Sequence, residues 1–252
     1  MSLHLIPLLP IIAIAFVASL TRSTFGFGES LVAVPLLALV IPVEVAVPLS
    51  VLMSIVVALI VVVQDHQQIH VASAKWLILF ALLGIPVGLL ILICVDPYGV
   101  KLGLGGLVVA YSVYALLSKH SLHLERDSRA WLFGCGFVSG VLGGAYGLNG
   151  PPLVIYGNLR RWDAQQFRAT LQAYFLPASI LGATGFAVNG LVSWTVLRYF
   201  FICLPAVVPA VFLGRVLNRR LRGSAFFKYV YAGLIVVGSL LVAFTLAGIE
   251  TG

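Results

Sequence analysis

Trp131-Leu-Phe-Gly-Cys-Gly-Phe-Val-Ser-Gly-Val-Leu-Gly-Gly-Ala-Tyr-Gly-Leu-Asn-Gly-Pro-Pro-Leu-Val-Ile-Tyr-Gly-Asn-Leu159 runs for 29 residues without a charged side chain. As one straight helix it would be about 44 Å long at 1.5 Å per residue, too long for one bilayer crossing and too short for two. The stretch from Tyr146 to Pro152 holds Gly147, Gly150, Pro151 and Pro152, the residue types a break needs. The segment therefore reads as a helix, a break at membrane depth, and a short helix Leu153–Leu159. The same pattern occurs earlier in Ser2–Val43. There a helical run meets Thr24-Phe-Gly-Phe-Gly-Glu-Ser30, followed by the short run Leu31–Val40.

The rest of the chain agrees with a membrane setting. Of its 252 residues, 61% are hydrophobic and 9% charged, and the mean hydropathy is +1.11. A soluble domain carries about 25% charge. This composition excludes a cytosolic enzyme, a secreted disulfide scaffold and a disordered chain. Cys94, Cys135 and Cys203 all lie in apolar stretches and read as small buried hydrophobes. Six ordinary spans are expected at Val45–Val63, Trp76–Val95, Leu102–Ser118, Ala169–Leu197, Leu191–Gly214 and Tyr229–Ile249, with Asn189-Gly190 breaking the long run. The apolar N-terminal run lacks a positive region and a cleavage site, so it reads as a first span.

The two broken regions match each other. Phe25-Gly26 aligns with Tyr146-Gly147, and further on Lys101 and Gly106-Leu107 align with Lys228 and Gly233-Leu234. The expected fold is thus an all-α integral membrane protein of two five-segment inverted repeats. Each has a broken first helix, a short half-helix and three spans: residues 1–118, a cytoplasmic linker 119–130, and residues 131–252. Charge sets the sense. With five segments per half, the loops 64–75, 118–130, 160–168 and 215–228 share one face and hold 12 of the 15 Lys and Arg residues. The positive-inside rule makes that face cytoplasmic and leaves both termini periplasmic. The net charge of +7 then records orientation, and no nucleic-acid partner is expected.

A break at membrane depth persists only where it lines a cavity or meets a ligand, because unpaired backbone groups in lipid cost several kcal/mol each. Half-helices that begin there turn free N–H groups and a positive dipole end toward the cavity. Two such starts, near Ser30 and Pro151, make an anion site without a buried lysine. Gly26, Gly28, Gly147 and Gly150 shape the breaks, Asn149 and Ser30 are candidate caps and ligand donors, and Pro151 suits a first helical turn. Arg22 is a candidate anion partner and Glu29 a candidate proton-coupling residue; alternatively the two pair with each other, or Arg22 snorkels to the interface. Gln172 either faces the same cavity or bonds across helices. Phe25, Phe27, Tyr146, Tyr174 and Phe175 either surround an apolar ligand tail or pack. Gly136, Gly140 and Gly144 recur every four residues and are assigned to helix packing. Asp65, His66 and His70 show only loose metal spacing and read as a wet loop, so neither a metal nor a cofactor is expected. HExxH, GxSxG and GxxxxGK[ST] motifs are all missing, which points away from an enzyme and an ATP-driven pump.

The block from Gly134 to Pro152, with Arg168-Ala-Thr-Leu-Gln172 after it, resembles the TauE/SafE family, also called the toluene sulfonate uptake permease family. The first half carries a poorer copy at Gly26-Phe-Gly-Glu-Ser-Leu-Val-Ala-Val-Pro35, where Glu29 interrupts a block that is richer in glycine in many relatives. The likeness covers nearly the whole chain. It implies movement of sulfur-containing anions across the bacterial inner membrane. The short length resembles the aromatic-sulfonate uptake permeases, which implies a secondary transporter taking up an aryl sulfonate such as 4-toluenesulfonate, with a proton as the candidate coupling ion. Export of sulfite, sulfoacetate or another small oxyanion is the alternative. A passive anion channel and a membrane anchor for a partner enzyme are the readings from other classes. The expected partners are the small anion and membrane lipid, and the sequence assigns no oligomeric state.

Overall fold

A computed structural model of the chain describes residues 8–117, 124–162, 164–220 and 225–247. Among these residues there are ten α-helices and no strand: α1 (Leu8–Phe25), α2 (Glu29–Leu37), α3 (Val43–Asp65), α4 (Val71–Cys94), α5 (Pro97–Leu117), α6 (Arg129–Tyr146), α7 (Gly150–Leu159), α8 (Ala164–Val188), α9 (Trp194–Arg220) and α10 (Ala225–Leu246). A single 3-10 turn, His66–Gln68, joins α3 to α4. Five helical segments are long and apolar enough to cross a membrane: α1, Val43–Gln68, α4, and most of α8 and α9. The stretches expected as spans at Leu102–Ser118 and Tyr229–Ile249 lie largely in α5 and α10, of 21 and 22 residues. Both termini, and residues 119–123 of the expected linker 119–130, fall outside the described residues.

The helices are apolar on most of their circumference, and the surface they leave outward is apolar too. Leu9, Leu117, Val188 and Trp194 are each more than 70% exposed. Arg22, Glu29, Arg168 and Gln172 are buried. That distribution is the reverse of a protein in water and suits a lipid surround. Prolines inside helices, at Pro35, Pro48, Pro86, Pro177, Pro205 and Pro209, are tolerated in that setting because neighbouring helices satisfy the freed carbonyls.

The lengths run long, short, long, long, long in α1–α5 and again in α6–α10. Packing follows the same order. The main helix pairs are α4 with α6, α1 with α9, α3 with α8, and α5 with α10. Exchanging the first five helices for the second five leaves this set of pairs unchanged.

Small residues set the tightest pair. A Cβ added at Gly136 would lie 2.8 Å from the Leu77 carbonyl oxygen, and one at Gly140 2.5 Å from that of Ala81. At Gly144 it would strike the Ile85 carbonyl, and Gly84 and Gly88 on α4 meet α6 in the same way. The glycines spaced by four thus let two backbones touch, as their spacing predicted. Cys135 and Cys203 are buried, but Cys94 ends α4 and is exposed; an apolar run in lipid has an outer face as well as a buried one.

Candidate functional site

Both expected breaks are present. α1 ends at Phe25, and Gly26 and Gly28 follow with φ of +85° and +96°; α6 ends at Tyr146, and Gly147 follows with φ of +67°. This left-handed backbone costs glycine least, which is why the chain stops and restarts there. The two breaks approach each other. A Cβ at Gly147 would lie 3.9 Å from Ser30 Oγ, and one at Gly150 3.9 Å from Phe27 Cβ. Between them is a cavity with about 350 Å³ of empty space, its open mouth included. Its lining comes from both breaks (Phe27 to Leu31, and Gly147 to Pro151), with Arg22, Ser54 and Phe175 completing the wall.

Arg22 lies in the last turn of α1 and Glu29 in the first turn of α2. A cation at a helix C-terminus and an anion at an N-terminus are both favoured by the helix dipole. Across the break they form a fully buried ion pair, with Arg22 Nη1 2.5 Å from Glu29 Oε2. The same nitrogen donates to Ser54 Oγ at 2.5 Å, and Arg22 Nε and Nη2 donate to Gln172 Oε1 at 3.0 and 2.8 Å. Gln172 Nε2 in turn donates to the Gly26 carbonyl at 2.9 Å, so one amide fixes the arginine and ties down the break. The Arg22 guanidinium carbon sits 4.7 Å from the centre of the Phe175 ring, within cation–π range. Ser54 is also bonded to Ser179 at 2.9 Å. Gln172, Phe175 and Ser179 are spaced by three and four, so α8 presents them as one stripe.

Of the residues expected to bind, Arg22, Gly28, Ser30, Gly147, Asn149, Gly150, Pro151 and Phe175 line the cavity together with Glu29, and Phe27 joins them. Gln172 stands behind Arg22 and Gly26 packs against the backbone of Arg168. Phe25 and Tyr146 are not among the lining residues; a Cβ at Gly103 on α5 would strike the Tyr146 hydroxyl. Tyr174 is buried and donates to Ser139 Oγ, away from the lining.

Three expectations need correction. Ser30 is not a cap: Gly28 occupies the N-cap of α2 without a side-chain cap bond, and Ser30 accepts from Ser50 instead. Asn149 cannot cap α7 by its side chain, because the N–H groups such a cap would bind belong to Pro151 and Pro152, which have none. Its Oδ1 is buried without a hydrogen bond, while its carbonyl accepts from Ser139 Oγ at 2.6 Å. Arg168, expected in a cytoplasmic loop, lies in α8, buried, with its Nε 3.6 Å from Asp65 Oδ2. Asp65 also meets Arg215 at 3.6 Å, and among the described residues no group of three metal-ligating side chains forms.

Ser54 and Ser179 were missed. A lone serine in an apolar helix gives no sequence signal, although Ser50 and Ser54 do share a face of α3 at a spacing of four. A second polar cluster was also missed, at the far end of α7. There Asp127 accepts from Tyr156 at 2.7 Å and Ser73 at 2.9 Å, and pairs with Arg160 at 2.9 Å. His70 bonds Ser73 at 2.8 Å. This cluster ties the end of the short helix opposite the cavity to the start of α4.

An all-helical fold with an apolar exterior and helices long enough to cross a membrane, enclosing an arginine-bearing cavity between two broken helices, suits an integral membrane protein. The family model for the sulfite exporter TauE/SafE matches residues 11–241, and the chain belongs to that family. Membership implies a transporter of sulfite- or sulfonate-type anions. No curated protein and no solved structure matches the chain.

Proposed function

We propose that the chain is a secondary transporter that takes up an aryl sulfonate, such as 4-toluenesulfonate, across the bacterial inner membrane together with a proton. The observation that carries this reading is the cavity at the meeting of the two breaks, with a buried arginine in its wall. The sulfonate oxygens would lie on Arg22 and on the N–H groups that open α2, with Gly150 supplying the N–H that Pro151 cannot. Phe27 and Phe175 stand where an aromatic ring would rest. Gln172 holds Arg22 in place, and Glu29 is the coupling residue. The helix order and the exchangeable packing pairs support two repeats, 1–118 and 131–252. The crowding of positive residues on one set of helix ends and loops supports their inverted sense and periplasmic termini.

A second reading, export of sulfite or another small oxyanion, is favoured by the family description. Counterflow in proteoliposomes separates the two. Labelled 4-toluenesulfonate trapped by unlabelled 4-toluenesulfonate and not by sulfite supports uptake of the aryl anion; the reverse order supports the exporter. A passive channel would show no counterflow with either. At the level of one residue, Asn149→Ala is expected to weaken 4-toluenesulfonate binding by about tenfold or more, the usual loss when a hydrogen bond to a charged group is removed. Unchanged affinity in calorimetry would take Asn149 out of the site.

A further inference from the structure

We infer that Glu29 is the resident occupant of the anion site: its carboxylate holds the place on Arg22 and Ser54 that the transported anion takes, and the two exchange. The inference rests on the transport reading above and gives its proton coupling a physical form.

Glu29 Oε2 and Ser54 Oγ share one guanidinium nitrogen of Arg22, and all three groups line the cavity. Nε and one N–H of Nη2 are taken by Gln172, a neutral acceptor that is itself fixed by the Gly26 carbonyl. Nη1 is therefore the guanidinium nitrogen that already carries an anion at the cavity, and a carboxylate oxygen occupies it. Arg22 holds the Glu29 carboxylate through Oε2 alone, with Ser19 the other side chain beside it. A sulfonate or hydrogensulfite presents the same oxygen edge and carries further oxygens for the N–H groups of α2 and for Asn149. That makes the ligand class a singly charged oxyanion.

Charge then dictates the stoichiometry. An unpaired buried arginine is costly, and so is a second anion beside the first. Two states avoid both: ionised Glu29 on Arg22 with no substrate, and the substrate on Arg22 with Glu29 protonated. Each leaves the cavity neutral. A carrier that reorients only in those states moves one proton with each anion, in the same direction and with no net charge. The other elements around Glu29 do not supply a competing acid or base in the lining. α3 contributes Ser54, α7 contributes Gly150 and Pro151, and α8 contributes Phe175 to the lining and Gln172 behind Arg22. Arg168, one turn before Gln172, meets Asp65, and α5 and α10, which also pack on α2, carry one lysine each, Lys101 and Lys228.

The test uses the purified full chain and anions that stay ionised throughout, methanesulfonate and 4-toluenesulfonate. In the wild type the apparent Kd is expected to rise about tenfold per pH unit once Glu29 ionises, because each bound anion then needs a proton taken up. Glu29→Gln is expected to bind with a flat pH profile at the tight acid limit, and its melting temperature is expected to rise more with added anion than that of the wild type. Binding by the wild type with no pH dependence, or a Glu29→Gln profile that keeps the wild-type slope, overturns the exchange and leaves the transport reading standing. If neither anion binds either protein at any pH, both fall. A second measurement needs no variant. In proteoliposomes uptake should follow an imposed pH gradient and ignore an imposed membrane potential; one charge moved per turnover overturns the neutral exchange.

Discussion

Replacing Arg22 by alanine is expected to abolish anion binding and to destabilise the folded protein by about 3–5 kcal/mol, the usual result of removing one partner of a buried pair. Glu29 and the Gln172 carbonyl oxygen lose their arginine partner at once, and Ser54 is left with Ser179 alone. The stability part has an internal control. Arg22→Met with Glu29→Met together removes both charges and fills the space with apolar atoms, and such exchanges are often neutral or stabilising. The double variant should therefore melt near the wild type while still failing to bind 4-toluenesulfonate. Unfolding in detergent and calorimetry on the three proteins check both halves. Binding retained by Arg22→Ala would show that the cavity arginine serves structure alone.

The second large effect lies away from the cavity. Gly144→Val is expected to cost more than about 3 kcal/mol, beyond the usual range for an overpacked core, and to prevent accumulation of folded protein. The reason is that the added atoms meet backbone rather than a side chain that can turn aside. A Cβ at Gly144 strikes the Ile85 carbonyl, lies 2.8 Å from the Leu89 nitrogen and 3.0 Å from the Gly88 carbonyl carbon. Relief requires α4 and α6 to separate along the contact they share, and membrane helices have little hydrophobic drive to hold them once the close fit is lost. Gly134 sits on the same helix with open space around its missing side chain, so Gly134→Ala should leave the melting temperature unchanged or slightly raised. Expression and thermal melts of the two variants measure the contrast.

Much of this was legible from residue order because glycine and proline act locally. Gly26, Gly28 and Gly147 adopt the left-handed backbone that their place between apolar runs requires, and Gly136, Gly140 and Gly144 pack by their spacing alone. Arg22 and Glu29 stood out because charge is rare in such a chain; they pair with each other, as one of the alternatives had it, and they also line the cavity. What stayed hidden depends on contacts between distant segments. Ser54 lies 32 residues from Arg22 and 125 from Ser179, and nothing in an apolar helix marks which serine faces inward. Arg168 read as a loop residue because positive charge usually ends a span; α8 instead begins at Ala164 and carries it inward to Asp65. The error over Asn149 was avoidable, since Pro151 and Pro152 already deny its side chain the N–H groups a cap would bind.

The position of a bound anion tests the account most directly. Diffraction from the protein bound to 4-bromobenzenesulfonate, with the bromine located by its anomalous signal, fixes both ends of the ligand. The account predicts the sulfonate between the two glycine breaks, within hydrogen-bond reach of Arg22 and of the first N–H groups of α2, with Glu29 moved off the guanidinium. A sulfonate seated elsewhere, with the Arg22–Glu29 pair intact, would contradict it.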